Sequence, residues 1–153
     1  MPTRSAGILV FKRKGTRLEV LLVHPGGPFW KNKEAGAWSI PKGEPQEGEE
    51  LLSAAQRELR EEIGLKAQGN FKDLGTIQQK GGKTVHAWGF EVDPDTAVVH
   101  VSNSFELEWP PRSGKRQSFP EIDRAEFFSI EEAEPKINQA QRPFLERLSA
   151  SIE

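Results

Sequence analysis

Near the start of the chain the apolar positions come in runs. Ser5 to Phe11 is apolar but for Gly7 and reads as a short buried strand. The basic stretch Lys12-Arg13-Lys14-Gly15-Thr16 reads as a hairpin turn, with Leu18 to Val23 as the returning strand. His24-Pro25-Gly26-Gly27-Pro28 can continue neither strand nor helix, so a loop starts there and runs to Gly36. Trp38-Ser39-Ile40 is a very short strand stopped by Pro41. The pattern then changes period. Glu49 to Ile63 has no internal Gly or Pro and is rich in Leu, Ala, Glu, Gln and Arg. Gly64 follows at the position where a left-handed residue ends a helix. On a helix with 3.6 residues per turn, Leu52, Ala55, Leu59 and Ile63 fall within roughly 80°, a stripe for packing against a sheet.

After the helix, β-like stretches lie near Phe71–Gln79, Thr84–Val92 and Val98–Trp109, with Asp93-Pro94-Asp95 between the last two. Pro110 to Lys115 is a loop and Ala125–Ile130 a final strand. Helical stretches follow, with Pro135 and Pro143 as boundaries or first-turn residues. In the last of them, Pro143 to Ile152, Phe144, Leu145, Leu148 and Ile152 recur at helical spacing. No repeat, low-complexity tract or linker interrupts this order, so residues 1–153 form one domain. Interspersed strands and helices predict an α/β fold, a mixed sheet sandwiched by helices.

Composition narrows the chemistry. The 153 residues contain no Cys, which removes disulfides, thiolate metal sites and a cysteine nucleophile. A mean hydropathy of −0.62 and no apolar run near the ~20 residues of a membrane span predict a soluble, cytoplasmic protein without a membrane partner. The first residues lack the pattern of a signal peptide. With 21 Lys+Arg against 23 Asp+Glu, the net charge of −2 gives no reason to expect nucleic acid as a partner. Nothing in the composition separates a monomer from a homodimer.

Charge patterning singles out the long helix. Glu58, Glu61 and Glu62, at offsets i, i+3 and i+4, share an arc of about 100°. Such a crowd of carboxylates is often a solvated face. Neutralisation by Arg57, or by a divalent cation, is the other reading, since Mg²⁺ and Mn²⁺ prefer dense carboxylate oxygen.

The flanking residues decide between them. Gly43 is followed after five residues by Glu49, and after seven more by Arg57-Glu58-Leu59-Arg60-Glu61-Glu62-Ile63-Gly64-Leu65. This resembles the signature box of the Nudix hydrolases, G-x5-E-x7-R-E-U-x-E-E-x-G-U, at every fixed position. A chance match at a given start is on the order of one in a billion. The resemblance implies an α/β/α sandwich and metal-dependent hydrolysis of a diphosphate in a nucleoside diphosphate derivative, with Mg²⁺ or Mn²⁺ as cofactor. It maps Glu58, Glu61 and Glu62 onto the family's metal-binding glutamates, the first sometimes a general base. It also maps the Lys42 main-chain carbonyl onto a further ligand. Arg57 orients these carboxylates, and Glu49 pairs with that Arg or with the helix N-terminus.

Family members often recruit another carboxylate from a downstream loop ahead of an aromatic strand. Glu121, after Pro120 and six residues before Phe127-Phe128, matches that placement as a catalytic and metal-binding residue. Glu106 and Glu108 are its rivals, and their alternation around Leu107 reads as a solvated strand face. Arg4 and Lys42 are candidate phosphate contacts. Trp30, Trp38, Trp88 and Trp109 could each stack on a base, though packing is the commoner role. His24, His86 and His100 have no metal-ligand spacing and read as structural or exposed.

The approach Trp38-Ser39-Ile40-Pro41-Lys42-Gly43 is similar to that of diadenosine polyphosphate hydrolases, although this chain has no Tyr to clamp adenine. Nucleoside triphosphates and dinucleoside polyphosphates both remain as substrates. The alternative, a Nudix-fold sensor that binds nucleotides without cleaving them, conflicts with the complete set of box glutamates. A purely structural acidic helix conflicts with the spacing of the glycines.

Overall fold

A computed structural model describes residues 3–96, 98 and 103–152. Its strands are β1 (Arg4–Lys14), β2 (Arg17–Pro25), β3 (Lys42–Gly43), β4 (Lys72–Gln79), β5 (Lys83–Glu91), β6 (Ser104–Glu108), β7 (Arg116–Pro120) and β8 (Ile122–Ser129). Its helices are α1 (Leu51–Ile63), α2 (Ile130–Lys136) and α3 (Arg142–Ile152), with a 3₁₀ turn at Gln139–Gln141. Five strands form a sheet in the order β4-β5-β1-β2-β8, and β3 pairs with β1 off that path. The β1–β5 pair is parallel and the other pairs are antiparallel, so the sheet is mixed. Strands β6 and β7 make a separate two-stranded ribbon. No described helix is long and apolar enough to cross a membrane.

The continuous apolar run of β1 has a simple cause: both of its faces are covered. Ala6, Ile8 and Val10 pack with Leu21 and Val23 against Ala54, Ala55, Leu59 and Ile63 of α1. Leu9 and Phe11 point the other way, into a second core with Trp38, Ile137, Phe144, Leu145 and Leu148. The result is the expected α/β/α sandwich, with α1 on one face and α2 and α3 on the other.

Several local expectations are corrected. The first hairpin turns at Gly15-Thr16 alone, with Lys14 opposite Arg17 and Gly15 at φ +61°. Lys12 therefore lies in the strand, buried, its ammonium 4.0 Å from the Phe127 ring centroid and 3.9 Å from Glu19. A long alkyl stem with a stacked head lets it occupy a position that reads as turn. Trp38-Ser39-Ile40 is not a strand, since it makes only isolated pairings, Ser39 with Val23 and Trp38 with Ile137. The segment Arg116–Pro120, outside every expected element, is β7. Of the expected strand Val98–Trp109, only Ser104–Glu108 forms β6 among the described residues. Residues 99–102, with His100, lie outside them. Pro135 sits inside α2, whose start is fixed by a capping box between Ser129 and Glu132.

The long helix starts at Leu51, because Glu49 is engaged elsewhere, and its N-cap Glu50 makes no side-chain cap. Gly64 ends it at φ 70°, its N–H donating to the Arg60 carbonyl at 2.9 Å. Leu51, not Leu52, joins the core on this face.

Leu59 is fully buried at the centre of the α1 interface. Leu59→Ala should lower unfolding free energy by about 2–5 kcal/mol. Chemical denaturation checks this, and a loss well below that range would place the residue outside the core.

Candidate active site

The site is built where α1 crosses β3. Gly7 of β1 permits that crossing, because a Cβ there would meet the Pro41 carbonyl at 2.7 Å and the Lys42 Cβ at 2.8 Å. The approach to β3 is pinned from the opposite layer. Gln141, fully buried, accepts from the Ile40 amide at 3.0 Å and donates to Ser39 Oγ and Gln79 Oε1. Gly43 then brings bare backbone against the helix, since a Cβ would stand 2.5 Å from both carboxylate oxygens of Glu58. The box glycine therefore makes room for a box glutamate.

Arg57 organises the carboxylates. Its Nε and Nη2 grip Glu49 at 2.9 and 3.0 Å, a bidentate pair. Nη1 donates to Glu58 Oε1 at 2.8 Å and Glu61 Oε2 at 3.2 Å, and Nη2 also reaches the Glu44 carbonyl at 3.2 Å. These bonds hold the guanidinium charged and the Glu49 carboxyl below its ordinary range. Glu49 also accepts from the Gln46 amide at 2.9 Å.

Glu58 and Glu62 are half-buried at the edge of the apolar stripe of α1. Burial raises the Glu58 carboxyl, and Arg57 opposes the shift. Glu62 is pushed up to about 9, by burial first and then by the Glu58 charge, with Glu121 adding to it and Lys42 opposing. Its Oε2 is buried without a hydrogen-bond partner. Burial, helped by the nearby Lys83, lowers the Lys42 ammonium, while Glu62, Glu44 and Glu58 raise it.

Glu121 follows β7, far from α1 in sequence, yet its charge is felt by both Glu58 and Glu62. With Lys42 and Glu62 it lines a cavity of about 180 Å³ floored by Val23, Ile40 and Ile122. Backbone bonds hold it in place: its N–H donates to the Asn103 carbonyl and its carbonyl accepts from Gly26, both at 2.8 Å. Glu106 and Glu108 lie on the exposed face of the ribbon, where Glu106 pairs with Arg116 at 3.6 Å and Glu108 accepts from the Arg112 amide. Arg4 opens β1 exposed, two residues ahead of Ala6, which is opposite Gly43. The structure gives it no ion pair or side-chain hydrogen bond among the described residues. Of the histidines, His24 is buried between Asp123 and the Lys33 carbonyl, and His86 bonds Asp73 at 2.8 Å. Lys83 is the cation that sequence reasoning missed. Its proximity to Lys42 arises from the β1–β5 pairing, which no local pattern signals.

The donor set suits a hard divalent cation. Glu58, Glu61, Glu62 and Glu121 supply oxygen only, their summed charge exceeds that of Arg57 and Lys42, and one Glu62 oxygen is desolvated and unpartnered. Among the described residues no three acidic or histidine side chains already form a ligand cluster. Arg57 holds one oxygen each of Glu58 and Glu61.

Comparison with known proteins bears on the family and the fold. Over 114 residues the chain is 29% identical to rat bis(5'-nucleosyl)-tetraphosphatase (asymmetrical), covering 67% of this chain and 74% of that one. It is also 29% identical over 100 residues to human 8-oxo-dGDP phosphatase NUDT18, covering 62% of this chain and 29% of the relative. A C. elegans Ap4A hydrolase structure superposes with a TM-score of 0.71 at 19% identity, covering 97% of both chains. The Nudix domain of Shewanella oneidensis NrtR, in complex with ADP-ribose, gives 0.70 at 14% identity over 100% of this chain and 90% of that one. At such identities the structures speak for the fold alone. The model of the NUDIX domain matches residues 1–148, and the chain belongs to the Nudix hydrolase family.

Proposed function

We propose that the chain is a metal-dependent hydrolase of a diphosphate linkage in a nucleotide, with dinucleoside polyphosphates the leading substrate class. One observation carries the reading: Glu58, Glu62 and Glu121 press their charges on one another beside Lys42, and Glu62 keeps a buried, unpaired oxygen. So costly an arrangement suits a site completed by a cation. The sequence likeness to the rat tetraphosphatase supports the substrate class.

Glu58, Glu61, Glu62, Glu121 and the Lys42 carbonyl would hold Mg²⁺ or Mn²⁺. Such an ion neutralises phosphoryl charge and lowers the pKa of a bound water. The remaining work falls to side chains. Lys42, with Lys83 beside it, meets the anionic phosphates, and their mutual proximity strengthens the attraction for a polyanion. Glu121 accepts the proton of the attacking water as its oxygen bonds to phosphorus, and the bridging oxygen leaves with the departing phosphate. Arg57 acts through the carboxylates it orients.

Hydrolysis of a panel of diadenosine tetraphosphate, ATP, 8-oxo-dGDP and ADP-ribose should require Mg²⁺ or Mn²⁺ and cease in EDTA. Undiminished turnover in EDTA contradicts the mechanism, and tight binding without turnover in any metal would make the chain a sensor. Glu61→Gln and Glu62→Gln should cut turnover strongly in folded protein. Glu121→Gln should lower kcat by ~10²-fold or more, the low end of a general base's contribution, with little change in Tm. Glu106→Gln and Glu108→Gln should do much less, and the reverse order would move the base to the ribbon.

Titration gives a separate test. A carboxyl whose folded pKa lies above its unfolded value binds protons more tightly in the native state. Stability is therefore greatest at low pH and is lost as pH rises from about 4.5 towards 9. Melts of the metal-free protein should fall more steeply across that window than those of Glu62→Gln. Parallel slopes would show that Glu62 ionises freely in the fold.

A further inference from the structure

The β2–β8 pairing is irregular where it reaches the cavity of Lys42, Glu62 and Glu121. His24 pairs with Arg124 and Pro25 with Ile122, so Asp123 is left over as a β-bulge on β8. We infer that His24 is a positioning residue for hydrolysis: it clamps the Asp123 bulge, and the bulge sets where Glu121 stands beside Glu62 and Lys42. This rests on the reading of Glu121 as base and metal ligand proposed above.

The core records the bulge. Ala125 and Phe127 pack on the α1 face, as strand alternation requires of residues two apart. Ile122 packs there too, although it lies three residues before Ala125. The extra residue between them is what allows this. In a regular ladder Asp123 would pair with Pro25 and Ile122 with Gly26, and Ile122 would turn away from the core. Glu121 would then slip one residue along β2, about 3.3 Å, from its place against Gly26.

His24 is what holds the bulged residue. Its Nε2 donates to the Lys33 carbonyl and its Nδ1 meets the Asp123 carboxylate, each at 2.7 Å. The ring is fully buried, with Trp38 edge-on at 5.1 Å, and packing keeps it in that orientation. Burial strengthens both bonds, since water does not compete for the ring nitrogens. The next residue, Arg124, pairs with Glu34 of the same loop and lies 4.8 Å above the Trp38 ring. Ahead of the bulge, Gly26 donates to the Glu121 carbonyl at 2.8 Å, and a Cβ on Gly26 would collide with the Pro120 carbonyl. Pro120 to Arg124 is thus gripped from both sides of Glu121 by the chain between His24 and Glu34.

Such placement matters for a base. Glu121 lines the cavity with Lys42 and Glu62, and its charge is felt by Glu58 and Glu62. Misplacing a reacting group by about 1 Å can cost on the order of 100-fold in rate, and a one-residue slip exceeds that displacement. His24 is not among the residues that line the cavity and acts through Asp123.

Amide hydrogen exchange, together with turnover of diadenosine tetraphosphate and ATP, tests the clamp in Asp123→Ala, His24→Phe and Asp123→Asn, with and without Glu121→Gln. In folded Asp123→Ala and His24→Phe, exchange of the Gly26 amide should quicken about tenfold or more. Their kcat should fall roughly 10- to 100-fold while KM stays within about threefold. Asp123→Asn, which can still bond Nδ1, should keep wild-type exchange and most of the turnover. On the Glu121→Gln background Asp123→Ala should lower turnover no further, because it acts through Glu121. A merely structural bond would repeat its full loss on that background. Such a repeat, or an unchanged Gly26 amide in both Asp123→Ala and His24→Phe, overturns the inference. If wild type hydrolyses neither nucleotide, the reading of the site fails, and the Gly26 amide alone decides whether His24 sets the place of Glu121. If wild type hydrolyses them and Asp123→Ala turns over equally well, that reading stands and His24 positions nothing.

Discussion

Arg57 is one cation among carboxylates that cannot all be satisfied by it. Its two-pronged grip on Glu49 and its shared bond to Glu58 and Glu61 fix the direction in which the box side chains point. Glu62 lies beyond that reach, buried and with a lone oxygen. Truncating one partner of such a cluster leaves the others buried and uncompensated, so the residues of the box act as a unit. The surrounding fold answers to the same constraint. Gly43 must lack a Cβ for Glu58 to lie where Arg57 holds it, and Gly7 must lack one for β3 to reach that place.

Most of the site was legible from the chain because its elements are local. The helix, its glycine stop and the i, i+3, i+4 carboxylates follow from one period of 3.6. The pairing of Glu49 with Arg57 follows from residues eight apart. What was hidden depends on contacts between distant segments. Nothing near Lys12 announces that Phe127 will cover it, and nothing in residues 116–120 distinguishes β7 from the loop before it. Leu51 rather than Leu52 packs against the core, a choice the apolar content of the two positions does not announce. Glu121 was reachable only through its placement ahead of an aromatic strand. Its actual position depends on backbone bonds to residues 26 and 103.

The sheet divides labour between its faces. The α2–α3 face is a core from which the buried Gln141 amide reaches across to hold the strand approach in place. The α1 face tolerates charged groups at its edge because β3 and the Glu121 segment shield them. Outside the sheet, the ribbon and the loop after β2 are joined by Gly27, Phe105, Phe29 and Trp109. Family membership speaks for the box and the sandwich. Variation in attached loops is where substrate choice resides.

Binding of Mn²⁺, followed by electron paramagnetic resonance of the free ion in the absence of any nucleotide, tests the central claim most directly. Wild type should take up the ion, and the double variant Glu58→Gln/Glu62→Gln should bind it about tenfold or more weakly while keeping its fold. Equal uptake by the two proteins would contradict the account, because the crowded carboxylates of α1 would then have no ion to hold.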